Sequence, residues 1–271
     1  MKKDWMAELI PEMSLPKHTQ FVWQGINDEA NLRQFLVSDI NWCKCDVRLH
    51  PIDEEPILRH DSFKNSPLDA NENWLTLDKL LSCVAKTDKS IKIDLKAGGI
   101  IVEKVMESID AHGLDDSRLW INSNVERLQE VGFWKLSKKY PKAILQADVD
   151  FLAPLICSVP GKARERLDMF TEWGINRFLI SWQSKDLRTF FDRMNEWGFE
   201  VNIYNIPDWE SFLKAILPKP QSITSDFNFP KWNYYGRGSG ENGFHYEYSE
   251  NYQYQNNETK KNKSLRRVSA R

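Results

Sequence analysis

Trp173-Gly174-Ile175-Asn176-Arg177-Phe178-Leu179-Ile180-Ser181-Trp182, then Gln183 to Glu196 without glycine or proline, then Trp197-Gly198-Phe199-Glu200-Val201-Asn202-Ile203-Tyr204-Asn205, is the stretch whose reading decides the fold. Apolar and β-branched residues make Arg177–Trp182 and Glu200–Asn205 strands, and the polar-apolar period between them makes 185–197 a helix. Trp-Gly closes two successive units in the same way, with glycine where a helix ends cheaply. Outward from this unit the pattern repeats. Further strands are expected at Gln20–Ile26, Asp39–Val47, Ile91–Leu95, Arg118–Asn122, Ala143–Ala147 and Gln221–Thr224, with helices at about 28–37, 75–87, 100–112, 125–139, 161–173 and 208–217. Gly113 and Gly132 fall near helix ends, and Pro141 and Pro218 follow helices. Eight strands alternating with helices predict an α/β fold, a (β/α)8 TIM barrel. The competitor is a doubly wound open sheet, which rarely needs eight regular units. No glycine-rich phosphate loop opens the first helix.

The chain of 271 residues is 41% hydrophobic and 28% charged, so a large core is expected. Lys plus Arg is 37 against 39 Asp plus Glu, a net charge of -2. That balance gives no electrostatic case for nucleic-acid binding by the barrel. No apolar run reaches the roughly 18 residues of a membrane helix, and Met1 to Gln20 carries Lys2 and Lys3 without an apolar segment, so no secretory signal is expected. Four cysteines do not make a disulfide framework, which predicts a reduced, cytoplasmic protein. Three segments are expected: an extension at 1–17, the barrel at 18–232 and a tail at 233–271. The tail holds six of the eight tyrosines among Gly, Asn, Ser and Glu, and it ends in the basic run Lys260 to Arg271. Such a composition cannot offset its ordering entropy and predicts a disordered tail. Contacts of this tail with RNA bases or anionic lipid remain open, and its partner is unknown.

A barrel of this kind puts its chemistry at the C-terminal ends of its strands. Side chains alternate with period two, so Lys44, Asp46 and Arg48 share one face while Cys43, Cys45 and Val47 share the other. Asp94 and Lys96 pair by the same parity. Two strands therefore each bring a carboxylate and an ammonium to one rim. Gln24, Asn27, Arg48, Asn122, Trp182 and Tyr204 end their strands as candidate substrate contacts, and His60 follows in Pro56-Ile57-Leu58-Arg59-His60-Asp61. Plainer readings stand beside these. Cys43-x-Cys45 has no second Cys/His pair and fits packing. Lys44, Asp46, Asp94 and Lys96 fit a structural ion network. His60 fits a structural histidine, and Arg48, His50 and Arg59 fit loop charges facing water.

At these residues the sequence resembles the glycerophosphodiester phosphodiesterases. In that family an E-x-D-V strand precedes a "pVv-HD" segment; here Asp46-Val47 precedes Pro56 to Asp61. Ile91 to Lys96 resembles their third strand. Val201 to Asp208, then Ser222 to Asp226 and Pro230, resembles their last two. Trp23 to Asn27, Ser90 to Lys96 and Leu119-Trp120-Ile121-Asn122 resemble the menorin family of the same phospholipase-C-like barrel superfamily. The resemblance implies a phosphodiesterase with two proton-carrying histidines and a divalent metal held by the E-x-D pair and the third-strand acid. This chain departs from that pattern. Gln24 stands at the strand-1 histidine, Lys44 at the first acid of E-x-D, and Asp94 at the third-strand acid. An ammonium about 4 Å from a divalent cation is strongly repelled. The expectation is therefore no cofactor, or a divalent cation (Mg or Ca) held weakly by Asp46 and Asp94. Lys44 stands in for the metal, Lys96 joins the phosphate clamp and His60 acts as acid or base, with His50 a candidate second carrier. The ligand implied is a small phosphodiester or another anion. The alternative is an inactive barrel that binds an anion or a protein.

Overall fold

The computed structural model describes residues 19–38, 40–67 and 74–225; the segments 1–17 and 233–271 lie outside the described residues. In chain order the elements are β1 (Gln20–Trp23), α1 (Glu29–Val37), β2 (Trp42–Leu49), β3 (Pro56–Leu58), α2 (Leu77–Val84), β4 (Ser90–Leu95), α3 (Ile101–His112), β5 (Leu119–Asn124) and α4 (Val125–Lys139). They continue as β6 (Ile144–Asp148), α5 (Ala153–Ser158), α6 (Pro160–Glu172), β7 (Arg177–Ser181), α7 (Leu187–Glu196), β8 (Glu200–Ile206), α8 (Trp209–Ile216) and β9 (Ser222–Ser225). Parallel pairing runs β1-β9-β8-β7-β6-β5-β4-β2, and β2 pairs back onto β1 through Val22 and Trp42, so eight strands close a ring. This is the (β/α)8 barrel that the alternation predicts. No helix among the described residues is long and apolar enough to cross a membrane.

Local sequence explains why each unit turns where it does. Asp28, Thr76, Asn124 and Asp208 each cap the helix that follows, accepting a backbone N–H three residues on. Gly174 and Gly198 end their units at φ of +97° and +80°, as Trp-Gly predicts.

Element ends differ from expectation by up to three residues, and four departures have a visible physical reason. β1 stops at Trp23 rather than Ile26, because Gly25 turns the chain at φ +78°. β2 runs to Leu49 rather than Val47, because β3, which the alternation did not predict, pairs antiparallel with its end through Val47 and Leu58. The short helix α5 precedes α6 without a warning period. Gly132 lies inside α4, which Gln129 interrupts with non-helical angles, so it closes no helix.

Period-two alternation sorts the strands into two apolar layers. Cys43, Cys45 and Val47 face the helices with Ile91, Ile93, Leu95, Phe35 and Leu80. Val22, Trp42 and Trp120 face inward and plug the barrel at the strand starts. Trp42 meets Trp120 edge-on, with ring centroids 5.5 Å apart. Above this plug the interior turns polar. One close approach fixes the loop after β4: a Cβ at Gly98 would lie 2.0 Å from the Arg127 carbonyl oxygen. Gly98→Ala should therefore lower unfolding stability by about 1–3 kcal/mol. Urea unfolding checks this, and a loss within error would contradict the contact.

Candidate active site

The centre of the mouth is a closed ring of four charges from β2, β4 and the residue that follows β4. Asp46 and Asp94 are direct neighbours in the parallel ladder. Lys44 Nζ lies 2.5 Å from Asp46 Oδ1 and 3.1 Å from Asp94 Oδ2. Lys96 Nζ lies 2.8 and 2.7 Å from the same two oxygens. Each ammonium touches both carboxylates, and the four formal charges cancel. Asn27, on the loop after β1, grips Asp46 twice: its Nδ2 donates to Asp46 Oδ2 at 2.8 Å, and its Oδ1 accepts the Asp46 N–H at 2.9 Å. Asn122 donates to Asp94 Oδ1 at 2.8 Å.

Burial and partners compete at each group. Desolvation pushes Asp46 and Asp94 up, but the ammonium groups of Lys44 and Lys96 outweigh it and leave both carboxyls below their usual range. Desolvation works against the charge of Lys44, and the two carboxylates more than offset it, so its pKa stands above the usual lysine value. The ring is ionised on both sides.

Lys44, Asp94 and Lys96 border a cavity of about 240 Å³ at the mouth. Of the residues expected at the site, it gathers Gln24, Lys44, His60, Asp94, Lys96, Asn122 and Tyr204. His60 is 59% exposed, and its Nδ1 lies 2.9 Å from Asp61 Oδ1. The loop that carries it is anchored by Arg59. That guanidinium lies over the rings of both Phe63 and Trp74, 4.8 Å from each centroid, and donates to the Ser66 carbonyl and hydroxyl. Arg59 is thus buried, not a charge facing water.

Four expected residues sit elsewhere. Asp46 and Asn27 lie outside the cavity lining and hold the ring together. Arg48 has the correct parity but lies past the barrel, and its guanidinium donates twice to the His60 carbonyl. Trp182 has the opposite parity to Leu179 and Ser181, so it packs among the outer apolar residues. His50 also stays away, its Nδ1 2.7 Å from Asp53 Oδ1 in the turn between β2 and β3.

Period-two reading missed other lining residues. Lys92 shares parity with Asp94 and Lys96 and could have been found by counting back two more positions. Arg127 comes from the first turn of α4, where no strand rule applies. Asp148 is the last residue of β6; its Oδ2 accepts from the Tyr204 hydroxyl at 3.2 Å, and that hydroxyl also lies 3.0 Å from Asp150 Oδ2. Burial raises both Asp148 and Asp150 above the usual carboxylate range.

The donor set does not suit a divalent metal. Among the described residues no group of three or more His, Cys, Asp and Glu side chains converges as ligands. The Asp46–Asp94 pair already holds two ammoniums.

A closed parallel barrel with an ionised polar mouth defines the class. No family model matches the chain and no curated protein matches its sequence. Solved structures match its fold. One is a candidate glycerophosphoryl diester phosphodiesterase of Agrobacterium tumefaciens, 13% identical, with 76% of this chain and 93% of that chain covered and a TM-score of 0.59. A phosphodiesterase of Oleispira antarctica, solved with the product sn-glycerol-3-phosphate, is 18% identical over 78% and 93%, with a TM-score of 0.57. A glycerophosphoryl diester phosphodiesterase of Parabacteroides distasonis is 14% identical over 83% and 88%, at 0.54. The chain therefore has the fold of the glycerophosphodiester phosphodiesterase barrels.

Proposed function

We propose that the mouth binds a small phosphate-bearing alcohol, or a phosphodiester of one, without a divalent cation. One observation carries this reading: Lys44 Nζ sits between Asp46 and Asp94, where two neighbouring carboxylates would otherwise draw a cation, and it faces the cavity shared with Lys96 and His60. Phosphate oxygens draw on the ammoniums of Lys44 and Lys96, which Asp46 and Asp94 keep oriented. As water attacks phosphorus and the bond from phosphorus to the alcohol oxygen breaks, His60, exposed at the rim, delivers a proton to that leaving oxygen. The sn-glycerol-3-phosphate bound by the Oleispira antarctica protein is of the same chemical class.

A second reading is binding without turnover. Gln24 favours it, because an amide at the rim of β1 cannot carry a proton, and its Oε1 is buried without a partner. Purified protein offered glycerophosphodiesters and sn-glycerol-3-phosphate, with calcium, magnesium or a chelator, separates the two. Turnover that ignores the chelator and falls at least about 100-fold in His60→Ala supports the metal-free hydrolase. Calorimetric binding without turnover, weakened at least about tenfold in Lys96→Met, supports the binding module. Neither binding nor turnover rejects both.

A further inference from the structure

The Tyr204 hydroxyl meets two carboxyls, Asp148 Oδ2 at 3.2 Å and Asp150 Oδ2 at 3.0 Å. It carries one hydrogen, so it fills one of these contacts. The other needs a hydrogen from a carboxyl. Backbone groups hold both carboxyls in place. Asp148 Oδ1 accepts the Asp150 N–H at 3.0 Å, and the two Asp150 oxygens accept the Ser181 N–H at 2.8 and 3.1 Å. The arrangement that fills both contacts has one carboxyl protonated and donating to the phenol oxygen, while the phenol donates to the other. Carboxyls this close also resist common ionisation. Burial, first of all, raises both of them. Burial and then the two carboxylates push the Tyr204 phenol up, so it keeps its hydrogen.

Asp148 and Tyr204 line the cavity that Lys44, Lys96 and His60 also line. The same cavity carries an independent sign of a ligand. Asn122, 5% exposed, lines it, and its Oδ1 has no hydrogen-bond partner among the described residues. Its ladder partner Gln146, two residues before Asp148 on β6, is fully buried with both amide atoms likewise unpartnered. Buried polar groups are rarely left so, and a ligand hydroxyl or a bridging water would satisfy Asn122. The charges that act on Asp148 come from Arg127 on α4, which favours its ionised form, and from Asp94 on β4, which opposes it. With both carboxyls ionised, the trio sets two negative charges beside a ring whose own four cancel. An incoming anion is repelled by that excess.

We propose that Asp148 meets the anionic ligand as a carboxylic acid, so that binding draws a proton from solvent into the Asp148–Tyr204–Asp150 chain. The ligand is the phosphate-bearing one of the preceding section, and the proposal rests on that reading. The hydrogen count gives the stoichiometry. Without ligand the chain has two contacts, filled by the phenol hydrogen and one acid hydrogen. A phosphate oxygen at its open end adds a third contact, and one further proton fills it. Asp150 then donates to the Tyr204 oxygen, Tyr204 donates to Asp148, and Asp148 donates to the ligand. Hydrogen bonds to an ionised oxygen are the strong ones, and this bond offsets the cost of protonating the carboxyl. Asp148 is thus a binding residue. Tyr204 and Asp150 act through it as positioning residues.

Calorimetry tests it. The full chain is titrated with glycerophosphoglycerol and with inorganic sulfate, neither of which takes a proton near neutral pH. Repeating each titration in buffers of different ionisation heat counts the protons taken up. The natural chain should take up as much as about one proton per anion, and its Kd should fall by up to about tenfold for each unit drop in pH across that range. His60 lines the same cavity and is the other group able to gain a proton there. His60→Gln therefore decides between them: uptake that persists in it belongs to the chain, and uptake that vanishes with His60 overturns the proposal. Tyr204→Phe keeps the ring and breaks the chain, so it should bind with a Kd that no longer follows pH in this way. Asp148→Asn keeps a neutral donor and should also bind without uptake. Uptake unchanged in both variants overturns the proposal. Binding by the natural chain with no proton uptake overturns it too and leaves the anion-binding reading intact. No binding at any pH rejects that reading, and the proposal with it.

Discussion

Asp46→Ala should remove about 3–5 kcal/mol of stability, the loss expected when one partner of a buried ion network is deleted. The carboxylate is 1% exposed and is gripped by Lys44, Lys96 and Asn27. Its removal leaves two buried ammoniums facing Asp94 alone and strands the Asn27 amide. The same geometry sets a pH dependence. Asp46 and Asp94 are held below the usual carboxylate range, so their contribution is complete above the unfolded value of about 4 and is lost as pH falls through the lower folded values. Lys44 stands above the usual lysine value, so its share is complete below about 10.4 and is lost as pH rises through its folded value. The ring should stabilise across the whole interval between. Urea unfolding at neutral and acid pH measures both effects. The variant should show a lowered midpoint at an unchanged denaturant slope, and a shallower loss of stability below about pH 4. A loss under about 1 kcal/mol at neutral pH would mean that the ring is solvated and weak, as exposed pairs are.

The barrel was readable because its signal is repetitive. Every strand that closes the ring appears as a short apolar, β-branched or aromatic run, and Trp-Gly marks the unit ends at Gly174 and Gly198. Parity alone put Cys43 and Cys45 outward and brought Lys44 to the mouth with Asp94 and Lys96. What parity cannot supply is distance and termination. Arg48 obeys it and still misses the cavity, because β3 draws the end of β2 away from the ring and the side chain meets the His60 carbonyl. Trp182 sits one residue past the inward Ser181, so its ring faces the helices. Arg59 reads as a loop charge because only the folded loop brings Phe63 and Trp74 together beneath it. Pairing partners are likewise invisible to a single chain. Lys44, Lys92 and Lys96 are alike in sequence, and only coordinates separate the two that meet carboxylates from the one that, among the described residues, meets Thr224 and Asn202 instead.

Lys44→Glu should create a divalent-cation response, and the natural chain should show none. The ring of Lys44, Asp46, Asp94 and Lys96 is formally neutral, and the substitution changes it by two charges to a net of -2. Three carboxylates would then crowd one ammonium in a buried site, where like charges resist common ionisation. Without metal the variant should be less stable than the natural chain. Magnesium or calcium would neutralise the excess and supply a hard cation to oxygen ligands from β2 and β4. At a hundredfold excess over the dissociation constant, binding to the folded state alone adds about 2.7 kcal/mol. For a domain of this size that is a rise in Tm of roughly 5–11 °C. Thermal unfolding with each cation and with chelator reads the effect, and the natural chain should not respond. Lys96 remains in the site and opposes the metal, so Lys44→Glu with Lys96→Met should bind more tightly than the single variant. If the single and double variants ignore both cations, the carboxylates of β2 and β4 do not converge on one point. The placement of Lys44 between Asp46 and Asp94, on which the metal-free reading rests, then fails with them. A natural chain that gains the same stability from cation would show instead that the ammonium moves aside and the site remains a metal site.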